Sequence, residues 1–202
     1  MTDNFLDKVY AARGEDETRE IYDAWAESYE AEVAKNGYVT PGRCADALAK
    51  FTDDKTAPVL DFGCGTGLSG LALKLAGFRT IDGVDLSAEM MAKARDKNVY
   101  RTVTQVSGDA ALTKGAYPSI AAIGVIGSGA APISVLDTLM HALDRGGRLV
   151  FSFNDHTLED PIHEARINEW TDCGAARLLF RERGDHLPGL GMKSNVYILE
   201  KN

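Results

Sequence analysis

Residues Val59 to Gly70 read VLDFGCGTGLSG, an apolar strand pattern that runs straight into a glycine-rich turn. Gly63, Gly65 and Gly67 stand at alternate positions. A tight turn needs one or two glycines; three let a ligand sit against the main chain. A turn after the first strand of an α/β sheet is where such sheets bind ligands. Bare N–H groups at the start of the next helix favour an anion. Gly65, Gly67 and Gly70 also satisfy the dinucleotide pattern G-x-G-x-x-G, which is weak on its own. Asp61, just before the loop, argues against a pyrophosphate, because a carboxylate there repels it and attracts an ammonium group.

Three further positions define a ligand. Asp85 ends the second strand pattern, 20 residues after Gly65. It can accept hydrogen bonds from both hydroxyls of a ribose, or serve as a helix-entry charge beside Ser87. Asp109, in SGDA, can accept from an adenine amino group while the Ala110 backbone meets the ring edge; a loop or cap role is the alternative. Leu86 and Met90 either sandwich the adenine or simply pack. A ligand with an adenosine, an amino group and a carboxylate fits this set better than a dinucleotide does. A reductase of this size needs Tyr-x-x-x-Lys on a helix. Tyr197 and Lys201 have that spacing, but they fall in the final strand.

Alternating elements position these residues. APVLDF (57–62), FRTIDGVD (78–85), YRTVTQVSGD (100–109), YPSIAAIGVI (117–126) and RLVFSFN (148–154) read as strands. GLSGLALKLAG, AEMMAKARDK with Ser87 as N-cap, PISVLDTLMHALDRGG and PIHEARINEWTDCG read as helices. AARLLFRERG and KSNVYILEKN close the chain as strands joined through DHLPGLG. The alternation implies an α/β fold with a mostly parallel sheet covered on both faces. With no helix between the last two strands, the final one enters antiparallel. Upstream, DETREIYDAWAESYEAEVAK reads as helix, with Ile21, Tyr22, Trp25, Tyr29 and Val33 on one stripe. RCADALAKF reads as another short helix.

The chain has 202 residues, 45% apolar and 26% charged, an ordinary globular composition that suits one core. We expect residues 1–50 to form a helical cap and 51–202 one compact unit. The net charge of −8, with Lys and Arg scattered, disfavours polyanions, so no nucleic-acid partner is expected. Cys44, Cys64 and Cys173 form no CxxC, so neither a metal site nor a disulfide frame is indicated. A reduced, cytoplasmic setting follows. The charged N-terminus lacks the apolar stretch of a signal peptide, and no run is apolar and long enough to span a membrane.

VLDFGCGTG, then VDLSAEMMAKAR, then GDA, then GGRLVFSF resemble the successive motifs of class I S-adenosylmethionine-dependent methyltransferases. The likeness covers residues 55–202, in order, at the strand ends. YDAWAESYEAEVAKNGYVTP narrows it to the small methyltransferase-like family typified by the Williams–Beuren syndrome region protein. The resemblance implies a Rossmann-like, doubly wound, seven-stranded sheet with a helical N-terminal cap. It implies S-adenosylmethionine as cofactor and S-adenosylhomocysteine as product. The expected cofactor contacts are Asp61, Gly63, Cys64, Gly65, Gly67, Asp85, Leu86, Met90, Asp109 and Ala110. Gly124 is expected at the methyl-donor sulfur, and Tyr29 at the methionine carboxylate. One departure is Pro118, where the family usually carries an Asp; Pro suits a strand's start, so the strand is expected to begin after it.

Methyl transfer from a sulfonium depends mostly on alignment and on excluding water. A base is needed only if the nucleophile arrives protonated. No residue carries a catalytic signature. His156 is the candidate base, or else one of a helix-cap cluster with Asn154 and Asp155. Tyr22, Trp25, Ile126 and Asn154 are candidate acceptor contacts; the aromatic residues alternatively form the packed face of an amphipathic helix. No Asn/Asp-Pro-Pro-Tyr/Phe or Pro-Cys follows the fourth strand, which argues against methylation of nucleobase amino groups and of cytosine C5. The expected protein is a methyltransferase acting on a small molecule. A nicotinamide-dependent Rossmann reductase and a non-catalytic S-adenosylmethionine-binding module are the alternatives.

Overall fold

The computed structural model describes residues 15–107, 112–127 and 129–202; Asp109 and Ala110 lie outside them. Seven strands among these residues form one sheet: β1 (Val59–Phe62), β2 (Ile81–Asp85), β3 (Thr102–Gln105), β4 (Ser119–Ala122), β5 (Arg148–Asn154), β6 (Ala176–Leu187) and β7 (Met192–Lys201). Their order is β3-β2-β1-β4-β5-β7-β6. Strands β1 to β5 pair in parallel. β7 runs antiparallel to both β5 and β6. This is the Rossmann-like, doubly wound sheet that the resemblance implied, with the antiparallel last strand that the element pattern implied.

The central strands are apolar throughout because helices cover both faces. Side chains alternate between two cores, as a period of two requires. Leu60, Ile120, Phe151 and Leu199 enter one core with Leu136, Leu139 and Met140 of α6 (Ser134–Ala142). Val59, Ala121, Val150 and Ile198 enter the other with Leu73 of α4 (Leu68–Leu75). Cys44, Ala45, Ala47 and Leu48 of α3 (Thr40–Lys50) belong to that second core. Packing on the sheet therefore begins upstream of residue 51, and α3 is a sheet helix rather than part of a separate cap.

Two boundaries differ from the sequence pattern, and β4 starts where it was expected to. The first helical stretch divides into α1 (Glu15–Trp25) and α2 (Tyr29–Lys35). β4 begins at Ser119, directly after Pro118, as the missing N–H dictates. A short turn, α7 (Asp155–Leu158), precedes α8 (Ile162–Asp172).

α1 docks on α5 (Ala88–Asp96) through Trp25, which packs against Met90 and is 2% exposed. Ser87, the N-cap of α5, accepts from the Met90 amide at 3.1 Å and donates its own proton to Asp23 of α1. The cap that closes the second sheet helix is thus also a tie to the N-terminal helix. Downstream of α2, the Gly189 amide donates to the Asn36 carbonyl at 3.0 Å, seating residues 36–39 against the turn between β6 and β7.

Candidate functional site

The sheet order reverses between β1 and β4, and a cavity of about 480 Å³ opens there at the carboxyl ends of the strands. Gly63, Cys64, Gly65, Asp85, Leu86, Met90, Gly124 and Tyr29 all line it. A second cavity of about 70 Å³ continues past Gly124, lined by Tyr22, Trp25, Ile126 and Asn154 among others. Tyr22, Tyr29, Tyr38, Gly124 and Ala130 border both.

Most amides of the glycine loop itself are committed within the fold. The Gly63 and Cys64 amides donate to the Val84 carbonyl at 2.8 and 3.0 Å, and Gly67 donates to Cys64 at 2.8 Å. The Gly65 amide donates to Asp85 Oδ2 at 2.8 Å. These four groups hold the loop in shape; the Leu68 and Ser69 amides that open α4 are not among them. The glycines serve space. Gly65, at φ +51°, faces nothing within 4 Å of where a Cβ would stand, so the main chain is bare to the cavity. At Gly67 a Cβ would meet Ala94, Lys97 and Tyr100 at 3.1 to 3.2 Å, and at Gly70 it would strike the Tyr100 ring at 2.2 Å. Gly67, expected to touch the cofactor, therefore serves packing behind the loop.

Asp85 sits in the cavity wall as anticipated. Its Oδ1 accepts from the Ser87 amide at 2.9 Å and its Oδ2 from Gly65, which leaves further lone pairs for the two hydroxyls of a ribose. Burial raises its pKa against the lowering effect of these amides.

Asp61 is corrected. It is fully buried, and Ser69 and the Tyr100 hydroxyl donate to its Oδ2 at 2.6 and 2.7 Å. The carboxylate lies behind the loop, one side chain away from the cavity wall that Ser69 lines. Its other oxygen, Oδ1, is buried with no hydrogen-bond partner among the described residues. Burial pushes its pKa up to about 6, against the two donated bonds. Burial also raises the Cys64 thiol, with the Asp61 and Asp85 charges adding to it, so Cys64 packs and does not attack.

The acceptor candidates divide. Tyr22 borders both cavities. Asn154 caps α7, its Oδ1 accepting from the Thr157 amide at 3.0 Å, and it lines the smaller cavity with Ile126. Trp25 reaches the same wall but is chiefly core, wedged edge-on against Tyr29 at 4.8 Å between ring centroids. His156 is displaced: it faces Glu159 at 3.6 Å, with its side chain 44% exposed, while its neighbours Asn154 and Thr157 face the cavity.

Several wall residues have no signal in the sequence pattern. The Tyr38 hydroxyl stands over Gly124, 2.8 Å from where a Cβ would be. The Gly124 amide donates to Ser152 Oγ at 3.1 Å, which fixes the loop after β4 against β5. His186 closes the far end of the smaller cavity. Tyr38 follows a glycine in NGYVTP and was within reach of a motif reading; Ser152 and His186 were not.

The described residues fit S-adenosylmethionine. A bare Gly65 offers the cradle, Asp85 the ribose acceptors, and Leu86 and Met90 the apolar walls for a base. Residues 37–189 match a family described as methyltransferase domain. The chain is 30% identical over 132 residues to human methyltransferase-like protein 27, covering 63% of this chain. It spans about half, 54%, of that curated relative. Among solved structures it is similar to an S-adenosylmethionine-dependent methyltransferase from Mesorhizobium loti, at TM-score 0.58 and 16% identity, covering 77% of this chain and 96% of that one. It is similar also to the [4+2]-cyclase SpnF, at TM-score 0.61 and 16% identity, covering 79% and 81%. At these identities the two structures share the fold.

Proposed function

The chain belongs to the methyltransferase-domain family, with S-adenosylmethionine as its cofactor, and from that premise we propose that it methylates a small molecule held in the 70 Å³ cavity beyond Gly124. When bound, the cofactor supplies an electrophilic methyl group that passes in line to a nucleophile's lone pair while the bonding electrons stay on sulfur. Asp85 holds the ribose end. Gly65 lets that end lie against the main chain. Gly124, with no side chain and φ +70°, leaves the passage between the two cavities open. Tyr22, Tyr29 and Tyr38 border both cavities and shed water from the reacting centre.

One observation carries the choice of acceptor. The smaller cavity is narrow, walled by aromatic rings, and among the described residues no Lys, Arg, Asp or Glu lines it. A wall without cations gives a phosphate backbone nothing to bind. The readout is transfer of labelled methyl from S-adenosylmethionine into three pools: a fraction of small metabolites, total RNA, and total protein. Label is expected in the small-molecule fraction. Label confined to RNA or protein refutes the acceptor class. Stabilisation by NADH in place of S-adenosylhomocysteine refutes the reaction class.

A further inference from the structure

His186 stands at the far wall of the smaller cavity, in a place that strand geometry singles out. In the β6–β7 ladder Asp185 pairs with Lys193 and Leu187 with Met192, so His186 is the extra residue of a β-bulge. A bulge re-aims a side chain and breaks the alternation that otherwise fixes which face it takes. The ring is 6% exposed, lies edge-on to Tyr38 at 5.2 Å between centroids, and reaches the cavity past it.

Behind the ring runs a buried chain of hydroxyls. His186 Nδ1 is 2.8 Å from Thr40 Oγ1, and Thr40 Oγ1 is 3.0 Å from Ser194 Oγ. Arg43 Nη1 donates to Ser194 Oγ at 3.0 Å. Thr40 and Ser194 are fully buried. A guanidinium can only donate, so Ser194 Oγ accepts there. The Ser194 proton then has one acceptor among the described residues, Thr40 Oγ1. The Thr40 proton in turn goes to His186 Nδ1. Reversing the chain would strand the Ser194 proton in the interior without an acceptor. Nδ1 is therefore the bare nitrogen, and the ring's proton sits on Nε2, the edge turned away from Thr40, in a residue that lines the cavity. Burial, helped by the Arg43 charge and opposed by Asp155, pushes the pKa of His186 down to about 4, so the ring is neutral at pH 7.

We propose that His186 is a substrate-contacting hydrogen-bond donor, a neutral Nε2–H polarised and held by Arg43, Ser194 and Thr40, and that the methyl acceptor is a small, uncharged, planar molecule carrying a carbonyl oxygen or ring nitrogen that receives this bond. The inference rests on assigning the smaller cavity to the methyl acceptor. The aromatic walls suit a flat apolar body. Among the described residues no charged side chain lines this cavity, which favours an uncharged acceptor over an ionic one, whose desolvation no side chain there would offset. With Nδ1 committed to Thr40, His186 is no base. The nucleophilic atom therefore brings its lone pair ready, and His186 sets the angle at which the molecule presents it.

The test is a long-range ¹H–¹⁵N correlation on protein labelled with ¹⁵N-histidine, at pH 7 with saturating S-adenosylhomocysteine. His186 is assigned among the 4 histidines by its loss in His186→Phe. It is expected as the neutral Nε2–H tautomer. Thr40→Val should yield a mixture of tautomers, and Thr40→Ser should restore the single one. Pyridine, an acceptor only, and pyrrole, a donor only, are matched planar probes. Pyridine should shift the His186 Nε2–H resonance and bind about tenfold more tightly than pyrrole, a difference of about 1.4 kcal/mol. A protonated Nδ1, an imidazolium at pH 7, or equal binding of the two probes overturns the proposal; the wild-type tautomer decides it even if the Thr40 variants fail to fold. Calorimetric titration of the same sample with S-adenosylhomocysteine separates the two levels. Loss of that binding sinks the methyl-transfer reading while the tautomer still judges His186, and intact binding with a protonated Nδ1 sinks only the inference about His186.

Discussion

Two glycines of one motif are expected to fail in opposite ways when each becomes alanine. Gly65→Ala places a methyl in open space at the cavity wall, at φ +51°. Its cost to the free protein is the left-handed conformation alone, about 1–2 kcal/mol. For a chain of this length that lowers Tm by about 2–8 °C. The cost to the ligand is larger in proportion. Pushing a well-fitted ligand off the main chain by a methyl radius costs about 1–3 kcal/mol, roughly 5- to 150-fold in dissociation constant. S-adenosylhomocysteine at 100 times its dissociation constant should stabilise the wild type by about 2.7 kcal/mol. After a 100-fold loss of affinity, the same concentration stabilises Gly65→Ala by only about 0.4 kcal/mol. Gly70→Ala is the control. Its Cβ would stand 2.2 Å from the Tyr100 ring, in packed interior behind the loop. Overpacking there costs the free protein about 1–3 kcal/mol, while the ligand-induced shift largely survives. Scanning calorimetry with and without S-adenosylhomocysteine reads both quantities. A full ligand shift in Gly65→Ala, or a lost shift with unchanged intrinsic stability in Gly70→Ala, would refute the division of the loop into a bare face and a packed face.

Asp85→Asn replaces a carboxylate that meets the Gly65 and Ser87 amides and is free to take two hydroxyls; with each charge-assisted bond worth about 1.5–3 kcal/mol, titration calorimetry should show S-adenosylhomocysteine binding weakened more than tenfold, and unchanged affinity would remove Asp85 from the site. Asp61 keeps its proton up to a pH of about 6 in the folded chain, against about 3.9 unfolded. Between those values the native state holds more protons than the unfolded one, so ligand-free stability should fall as pH rises through this window, by about 3 kcal/mol. The raised pKa of Asp85 adds to the same slope. Urea midpoints at pH 4.5 and 6.5 should show a smaller difference in Asp61→Asn than in wild type, and an equal difference would contradict the burial argument. Ser87→Ala removes both the N-cap of α5 and the tie to Asp23; it should cost about 1 kcal/mol and speed proteolysis within residues 15–39, and a cleavage pattern like that of the wild type would show that the tie does not hold α1 down.

How much of this was legible along the chain depends on the range of the interaction. The short apolar runs at 57–62 and 148–154 identify β1 and β5, because a strand covered on both faces is apolar along its own length. Ser87 is readable as an N-cap, because capping joins residues three apart. Asp85 is readable too: the strand–turn–helix geometry that brings it to Gly65 is generic to this fold. Asp61 sits in the same run and still misleads, because its orientation depends on Tyr100, 39 residues away, whose hydroxyl captures the carboxylate. The commitment of the loop amides is hidden for the same reason; their acceptors, Val84 and Asp85, belong to the neighbouring strand. Trp25 was readable as either substrate contact or core, and docking on Met90 makes it chiefly core.

The smaller cavity is the extreme case. Thr40 meets His186 across 146 residues and Ser194 across 154. No spacing rule spans such intervals. The register of the β6–β7 hairpin, its bulge at His186 and the packing of α3 on the sheet bring these groups together. Fold class, the strand order's switch point and the place of Asp85 in the cavity wall follow from local patterning and turn chemistry, which are set by neighbours within a few residues. The wall of the smaller cavity follows from hydrogen bonds between distant segments, which exist only once the hydrophobic faces have closed around them.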